Sequence, residues 1–195
     1  YRRGDARDAA AVAALVAETV RDFGPIRGLV HGAGVLADRA LLDKTPAMLD
    51  AVLDTKLAGL RNFLDALKLS DLRLLALFSS STARYGRLGQ SDYALANEAL
   101  NKAAQVLARR NPECRVAALG WGPWDGGMVD ASLKKLFAAE GVGVIGLEAG
   151  GEHFIAETRC SGPAETVVLA SLPGDRAALA LPVSFERDLT LEAYP

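Results

Sequence analysis

Leu72-Arg73-Leu74-Leu75-Ala76-Leu77-Phe78-Ser79-Ser80-Ser81 is the stretch that decides the fold. Its apolar run, residues 72 to 78, reads as a buried strand, and serines stand at its exit. Asp92 to Arg109 follows with a helical pattern, then a second strand pattern from Arg115 to Leu119. Working outward, Ala9 to Phe23 sets Val12, Leu15, Val16, Val20 and Phe23 close to helical spacing, and Gly24-Pro25 ends that helix. Ile26 to His31 reads as a short strand running into Gly32-Ala33-Gly34. Thr45 with Pro46 reads as an N-cap followed by proline at the first helical position. The helix they open carries Met48, Val52, Leu57, Leu60, Leu64 and Leu67 as an apolar stripe.

Strands separated by helices imply right-handed crossovers and a parallel sheet. The expectation is an α/β, Rossmann-like doubly wound fold, with functional residues at the carboxyl ends of the strands. His31-Gly32-Ala33-Gly34, Ser79-Ser80-Ser81 and Gly120-Trp121-Gly122 all fall at such ends. A Gly-x-Gly-x-x-Gly phosphate turn after a first strand is absent, and Gly32-Ala33-Gly34 lacks its third glycine. Residue 1 is a tyrosine, and Gly4-Asp5-Ala6-Arg7-Asp8 reads as a loop leaving an earlier strand. The chain is therefore expected to be the C-terminal part of the fold, with the phosphate-loop strands upstream.

Trp121-Gly122-Pro123-Trp124-Asp125-Gly126-Gly127-Met128 is too rich in glycine and proline to be regular. Helices are expected over 130–140 and 147–158, and a loop and helix beside the cleft suit a lid. Residues 166–172 suggest a last strand. Residues 1–173 are then one domain, and 174–195 a linker leading into the opening strand of another.

Half of the 195 residues are hydrophobic and the formal charge is −2, enough for one sizeable core and too acidic for a nucleic-acid surface. No apolar run approaches a membrane span and no signal-peptide pattern opens the chain. Cys114 and Cys160 lack metal-ligand spacing and read as buried thiols of a reducing cytoplasm. No cluster suggests a metal.

Lys56, Ser80, Tyr93 and Asn97 stand twenty-four, thirteen and four residues apart. Tyr93 and Asn97 share one face of a helix, and Ser80 ends a strand. Such a set suits protonation of an oxygen, as in carbonyl reduction. Tyrosine has a pKa of about 10, and a neighbouring ammonium such as Lys56 would lower it. Ser80 can donate to a carbonyl oxygen, and Asn97 can hold the lysine or a relaying water. Each residue also has a plain structural reading, and spacing alone leaves both open: a serine turn, a half-buried tyrosine, a solvated lysine.

Several motifs together resemble a known family. They are Gly4-Asp5-Ala6-Arg7-Asp8, His31-Gly32-Ala33-Gly34-Val35, Thr55-Lys56-Leu57-Ala58-Gly59, Phe78-Ser79-Ser80, Gly89 through Asn97, and Trp121-Gly122-Pro123-Trp124. Over residues 4 to 172 the chain resembles the ketoreductase domains of type I polyketide synthases, a branch of the short-chain dehydrogenase/reductases. Asparagine four after the tyrosine, with lysine upstream, is the order that marks the synthase reductases. Trp124 to Val129 and Leu133-Lys134-Lys135 are similar to the bacterial polyunsaturated fatty acid synthases, and the tail from Ser184 to Pro195 to the start of a dehydratase.

The resemblance implies NADPH-dependent reduction of a 3-ketoacyl thioester carried on a phosphopantetheinylated acyl carrier protein, with adjacent synthase domains as further partners. Tyr93 would be the proton donor, Ser80 the carbonyl-orienting donor, Lys56 the charge that tunes the tyrosine, and Asn97 its relay partner. Asp5 would meet the adenine, Ala33 and Gly34 the adenosine ribose, and Gly122 and Pro123 the nicotinamide, beside Lys56 and Tyr93. Leu36-Ala37-Asp38 resembles the triplet of the type giving the (3R) alcohol, and Tyr85 occupies the position where the opposite type carries tryptophan. Asp38, Tyr85, Trp124 and Met128 are thus the expected substrate and stereocontrol residues.

Arg109-Arg110 and Lys134-Lys135 are candidates for guiding an acidic carrier, against the plainer reading of solvated helix ends. Trp121 and Trp124 suit either an acyl tunnel or a packing anchor. For His31 the backbone is expected to matter more than the ring, and His153 reads as a surface residue. Two other functions stay open: a non-catalytic brace for neighbouring synthase domains, and a free-standing alcohol dehydrogenase. The piece by itself is expected to be inactive for want of a phosphate loop.

Overall fold

A computed structural model of the chain describes residues 1–127, 129 and 131–171. Met128, Leu172 of the expected last strand, and the 174–195 linker and tail lie outside the described residues.

Helix α1 (Ala9–Phe23) starts where the Asp8 side chain accepts the Ala11 N–H, and stops at Gly24, whose φ of 83° a β-carbon would disfavour. Strand β1 (Gly28–His31) comes next. Helix α2 (Pro46–Leu53) opens as expected on the Thr45 cap, its side chain accepting from Met48. The expected single helix is interrupted, however. A π-helical turn, Asp54–Ala58, joins α2 to α3 (Gly59–Ala66). Strand β2 (Leu74–Ser80) takes both serines into the strand itself. A short helix α4 (Thr82–Tyr85) and the long α5 (Ser91–Arg110) follow, then β3 (Arg115–Trp121). Helices α6 (Ala131–Ala139) and α7 (Leu147–Arg159) precede β4 (Glu165–Val168).

The four strands form one all-parallel sheet in the order β1-β2-β3-β4. This is the Rossmann-like α/β arrangement that the alternating pattern predicts. Both faces of the central strands β2 and β3 are covered, as parallel sheets require, while the edge strand β1 leaves Val30 half exposed. Val116 and Ala118 of β3 enter one core with Val12 and Val16 of α1, Leu60 of α3, Leu75 and Leu77 of β2, and Leu100 of α5. Ala117, Leu119 and Trp121, the alternate residues of β3, enter a second core with Ile145 and Val168. Register pairs Ser80 with Trp121 and Trp121 with Val168, so those carboxyl ends lie level. The ends of β2 and β3 thereby form a shelf above which α5 begins.

No helix among the described residues is long and apolar enough to cross a membrane. Nor do they contain a group of three or more His, Cys, Asp or Glu able to hold a metal. Cys114 is buried as expected, but Cys160 is exposed, because α7 ends at the surface just before it.

Candidate active site

Ser80, Tyr93, Asn97 and Lys56 come together at the end of β2. Ser80 is the last residue of the strand and is 8% exposed. Its Oγ accepts the Thr82 N–H at 3.1 Å, which leaves the hydroxyl proton for another acceptor. Tyr93 and Asn97 lie one turn apart on α5, and Asn97 is fully buried. The Asn97 Nδ2 donates to the Tyr93 carbonyl at 2.8 Å, and the Asn97 carbonyl accepts the Ser79 hydroxyl at 3.2 Å. Those two bonds fasten the helix to the strand. Asn97 Oδ1 has no partner among the described residues. An acceptor buried in that way is costly unless a water or ligand donor meets it.

Lys56 reaches the site from the π-helical turn. One extra residue in that turn rotates α3 by about 100° relative to an uninterrupted helix, and Lys56 is 3% exposed. Its Nζ donates to the Phe78 carbonyl of β2 at 3.0 Å and lies 5.6 Å from the centroid of the Tyr93 ring. Burial pulls the ammonium down from 10.5 to about 8.

Tyr93 departs from the expected electrostatics. Its pKa is raised, chiefly by burial. Hydrogen bonding with Asn97 and Ser80 works in the opposite direction, and the Asp38 carboxylate adds to the rise. Burial, rather than the lysine, dominates the Tyr93 pKa in this fold. The ammonium lies over the ring face and is committed to a backbone carbonyl of β2, and low-dielectric surroundings favour the neutral phenol. A phenol held neutral at pH 7 is loaded to give a proton rather than to take one. Nor does Asn97 hold the lysine: its Oδ1 meets no donor, and the Lys56 ammonium is turned to the Phe78 carbonyl instead.

The His31 ring counts for more than the expectation that weighted its backbone. The ring is 2% exposed, and its Nε2 lies 2.9 Å from the carbonyl oxygen of Lys56. With a carbonyl as partner, Nε2 donates, so the ring anchors the π-helical turn that presents the lysine. Burial lowers its pKa, with the neighbouring Lys56 charge adding to that and the hydrogen bond opposing it. The reading of the sequence missed this role. The only signal was a histidine at a strand's carboxyl end.

The other expected residues are spread around this centre. Ala33 and Gly34 are half-buried just beyond β1. Gly122 is buried beyond β3, donating its N–H to Val168 at 2.7 Å, and Pro123 is half-buried beside it. Asp5 lies before α1, exposed, in a fork-to-fork pair with Arg7 at 2.7 Å. Hydrogen bonding from Arg7 holds its carboxyl near 2. Asp38 is exposed and accepts from Gln90 Nε2 at 2.8 Å, and Tyr85 is 62% exposed at the end of α4. Trp124 packs away into the second core, edge-on to Trp121 at 4.7 Å and stacked on Phe78 at 6.5 Å. Trp121 is 4% exposed in the same cluster, so both tryptophans are packing anchors.

A two-point stem holds the lid segment: Ile145 N–H donates to Pro123, and Asp125 N–H to Ile145, each at 2.8 Å. Beyond it, Arg87 pairs with Glu140 at 3.2 Å and stacks on Phe137 of α6 at 4.7 Å. Lys134 is engaged with Asp125. His153 lies edge-on to Trp121 at 6.1 Å.

The donor set fits the nicotinamide–ribose end of a dinucleotide. An ammonium with donors to spare, a phenol, an unmet amide oxygen and two stretches of small residues surround one shelf. No phosphate-cradling glycine turn occurs among the described residues.

Residues 1–126 match a family described as the KR domain. The chain is 43% identical over 169 residues to a polyunsaturated fatty acid synthase polypeptide of Thraustochytrium sp., covering 86% of this chain and 6% of that protein. It is 43% identical over 142 residues to polyketide synthase GfsA of Streptomyces halstedii, covering 72% of this chain and 2% of that one. Among solved structures it is similar to PlmKR1, the ketoreductase from the first module of phoslactomycin biosynthesis in Streptomyces sp. HK803. There the identity is 27% and the TM-score 0.79, with 87% of this chain and 39% of that chain covered. The chain thus spans only a small part of the curated relatives it matches.

Proposed function

From the premise that this chain belongs to the KR domain family of the short-chain dehydrogenase/reductases, we propose that it is the substrate-facing part of a synthase ketoreductase. The reaction is the NADPH-dependent reduction of a carrier-bound 3-ketoacyl thioester to its 3-hydroxyacyl thioester. The carrier is a phosphopantetheinylated acyl carrier protein, and the adjoining synthase domains include a dehydratase.

The observation that carries this reading is the convergence of the Ser80 hydroxyl, the neutral Tyr93 phenol and the buried Lys56 ammonium on the strand end at Ser80. NADPH, when bound, supplies the hydride that goes to the carbonyl carbon. Ser80, its Oγ already accepting from Thr82, donates its proton as a hydrogen bond to the carbonyl oxygen and holds it in place. Tyr93 gives its phenolic proton to that oxygen as charge develops on it. Lys56, close to the ring, then favours the phenolate that remains. Asn97 Oδ1 accepts from the water that returns a proton. Lys56 and Tyr93 would hold the ribose of the cofactor, Gly122 and Pro123 would border its nicotinamide, and Ala33 and Gly34 would pack on the adenosine ribose. Asp5 retains lone pairs beyond its Arg7 contact and would take the adenine amine. Asp38 and Tyr85 flank the entering chain, and the product is the (3R) alcohol.

The test is Tyr93→Phe in the reductase that carries this sequence together with its phosphate-binding strands, followed by NADPH oxidation with a 3-ketoacyl thioester. A loss of roughly 10²–10⁴-fold in kcat is expected for removal of a general acid. Turnover within a few-fold of the parent refutes the assignment.

A further inference from the structure

Lys44 takes no part in the steps above, yet its side chain is 7% exposed and pairs at 2.8 Å with the carboxylate of Asp92, which is 0% exposed. The same Nζ donates to the Ala37 carbonyl at 2.8 Å. Asp92 sits in the first turn of α5, where its Oδ1 accepts the N–H of Tyr93 at 2.8 Å. One ammonium therefore bridges the loop that follows β1 and the residue beside the proton donor.

Apolar burial does not hold this loop. Val35, Leu36, Leu41 and Leu42 are 40, 41, 72 and 97% exposed. Polar ties hold it instead, all to the residues just before Tyr93: Lys44 to Asp92, Gln90 to Asp38 at 2.8 Å, and Arg39 N–H to the Gly89 carbonyl at 3.0 Å. Stability does not explain the choice of a buried ion pair, since burying two charges costs about what their attraction returns. What such a pair does provide is a fixed geometry between the groups it joins.

We propose that Lys44 is a positioning residue for the reduction, locking the 35–43 loop onto the first turn of α5 and so fixing which face of the ketone meets Tyr93. The proposal rests on the reductase reading. A ketone seated between that loop and the phenol is held by two walls that the Lys44 bridge makes one body. Without the bridge the walls move separately, and either face of the carbonyl can be presented.

The experiment compares Lys44→Met, Lys44→Arg and the double variant Lys44→Met/Asp92→Asn with the parent, in the reductase carrying this sequence. The double variant removes both charges together, so neither is left buried and unpaired; it still takes the donor from the Ala37 carbonyl, and it is expected to melt close to the parent and above Lys44→Met. Its (3R):(3S) product ratio on a 3-ketoacyl thioester should fall by about tenfold or more. Its kcat/KM should drop by up to about 10²-fold, mostly through KM. Amides of residues 37–43 should exchange faster with solvent in the folded variants, and Lys44→Arg should recover part of the ratio. A double variant with parental Tm, product ratio and KM overturns the proposal while leaving the reductase reading intact. A parent protein that reduces no ketone refutes both.

Discussion

Lys56→Met keeps the length and apolar stem of the side chain and removes its charge. Lys56 is 3% exposed, and burial lowers its pKa from 10.5 to about 8. At about 1.36 kcal/mol per pH unit, that gap means the charged form costs the fold ~3 kcal/mol at neutral pH. The sign follows from the folded value lying below the unfolded one. Below pH 8 the lysine is protonated in both states and the full cost applies. As pH climbs from 8 to 10.5 the folded protein sheds its proton first, and the cost fades. Between pH 7 and 9 the parent should recover about 1 kcal/mol from this group, and the methionine variant nothing. The variant also leaves the Phe78 carbonyl without its 3.0 Å donor, a penalty of about 1–3 kcal/mol that offsets the relief at pH 7. Urea unfolding of both chains at pH 7, 8 and 9 reads the difference directly. Tyr93 and Cys114, whose raised pKa values oppose the trend in each chain, cancel in that difference to first order. Parent minus variant stability should rise by about 1 kcal/mol across the range. A flat or falling difference refutes the buried-ammonium account of Lys56.

Two further outcomes concern packing around the site. His31→Leu removes the donor to the Lys56 carbonyl and should cost about 1–3 kcal/mol of stability while lowering kcat more than it raises KM. Because burial lowers the His31 pKa, its neutral form supports the fold above pH 6.5, and that support is lost as pH falls; the parent should weaken below pH 6.5 more steeply than His31→Leu in paired acid unfolding curves. Gly150→Val places a β-carbon on α7 at 2.4 Å from the Trp124 ring. About 1–3 kcal/mol of overpacking is expected, with an altered emission spectrum, since both tryptophans of the chain lie in that cluster. An unchanged spectrum and Tm would mean that the Trp124–α7 contact is not formed.

Much of this site was legible before any coordinates. The apolar run ending on Ser80 and the i, i+4 pair Tyr93 and Asn97 are local patterns. Strand alternation and helical periodicity act within a few residues, so their positions follow from spacing. Element ends were less legible: β2 and β3 each extend two residues beyond the expected run, taking Ser80 and Trp121 into the sheet. Sheet pairing with the neighbouring strands supplies hydrogen bonds that no local pattern reports.

The sequence by itself determined the parallel α/β order, the strand ends that carry the site, and the four polar residues in the order that marks synthase reductases. Tertiary structure alone decided how those residues behave. α5 packs against the π-helical turn, the Phe78 carbonyl of β2 takes the Lys56 ammonium, and His31 closes that turn from twenty-five residues away. The pairing of Lys44 with Asp92 joins segments forty-eight residues apart. The Tyr93 pKa is raised because burial outweighs its hydrogen bonds. Desolvation sums over every neighbour a fold brings near, and spacing along the chain does not contain that sum.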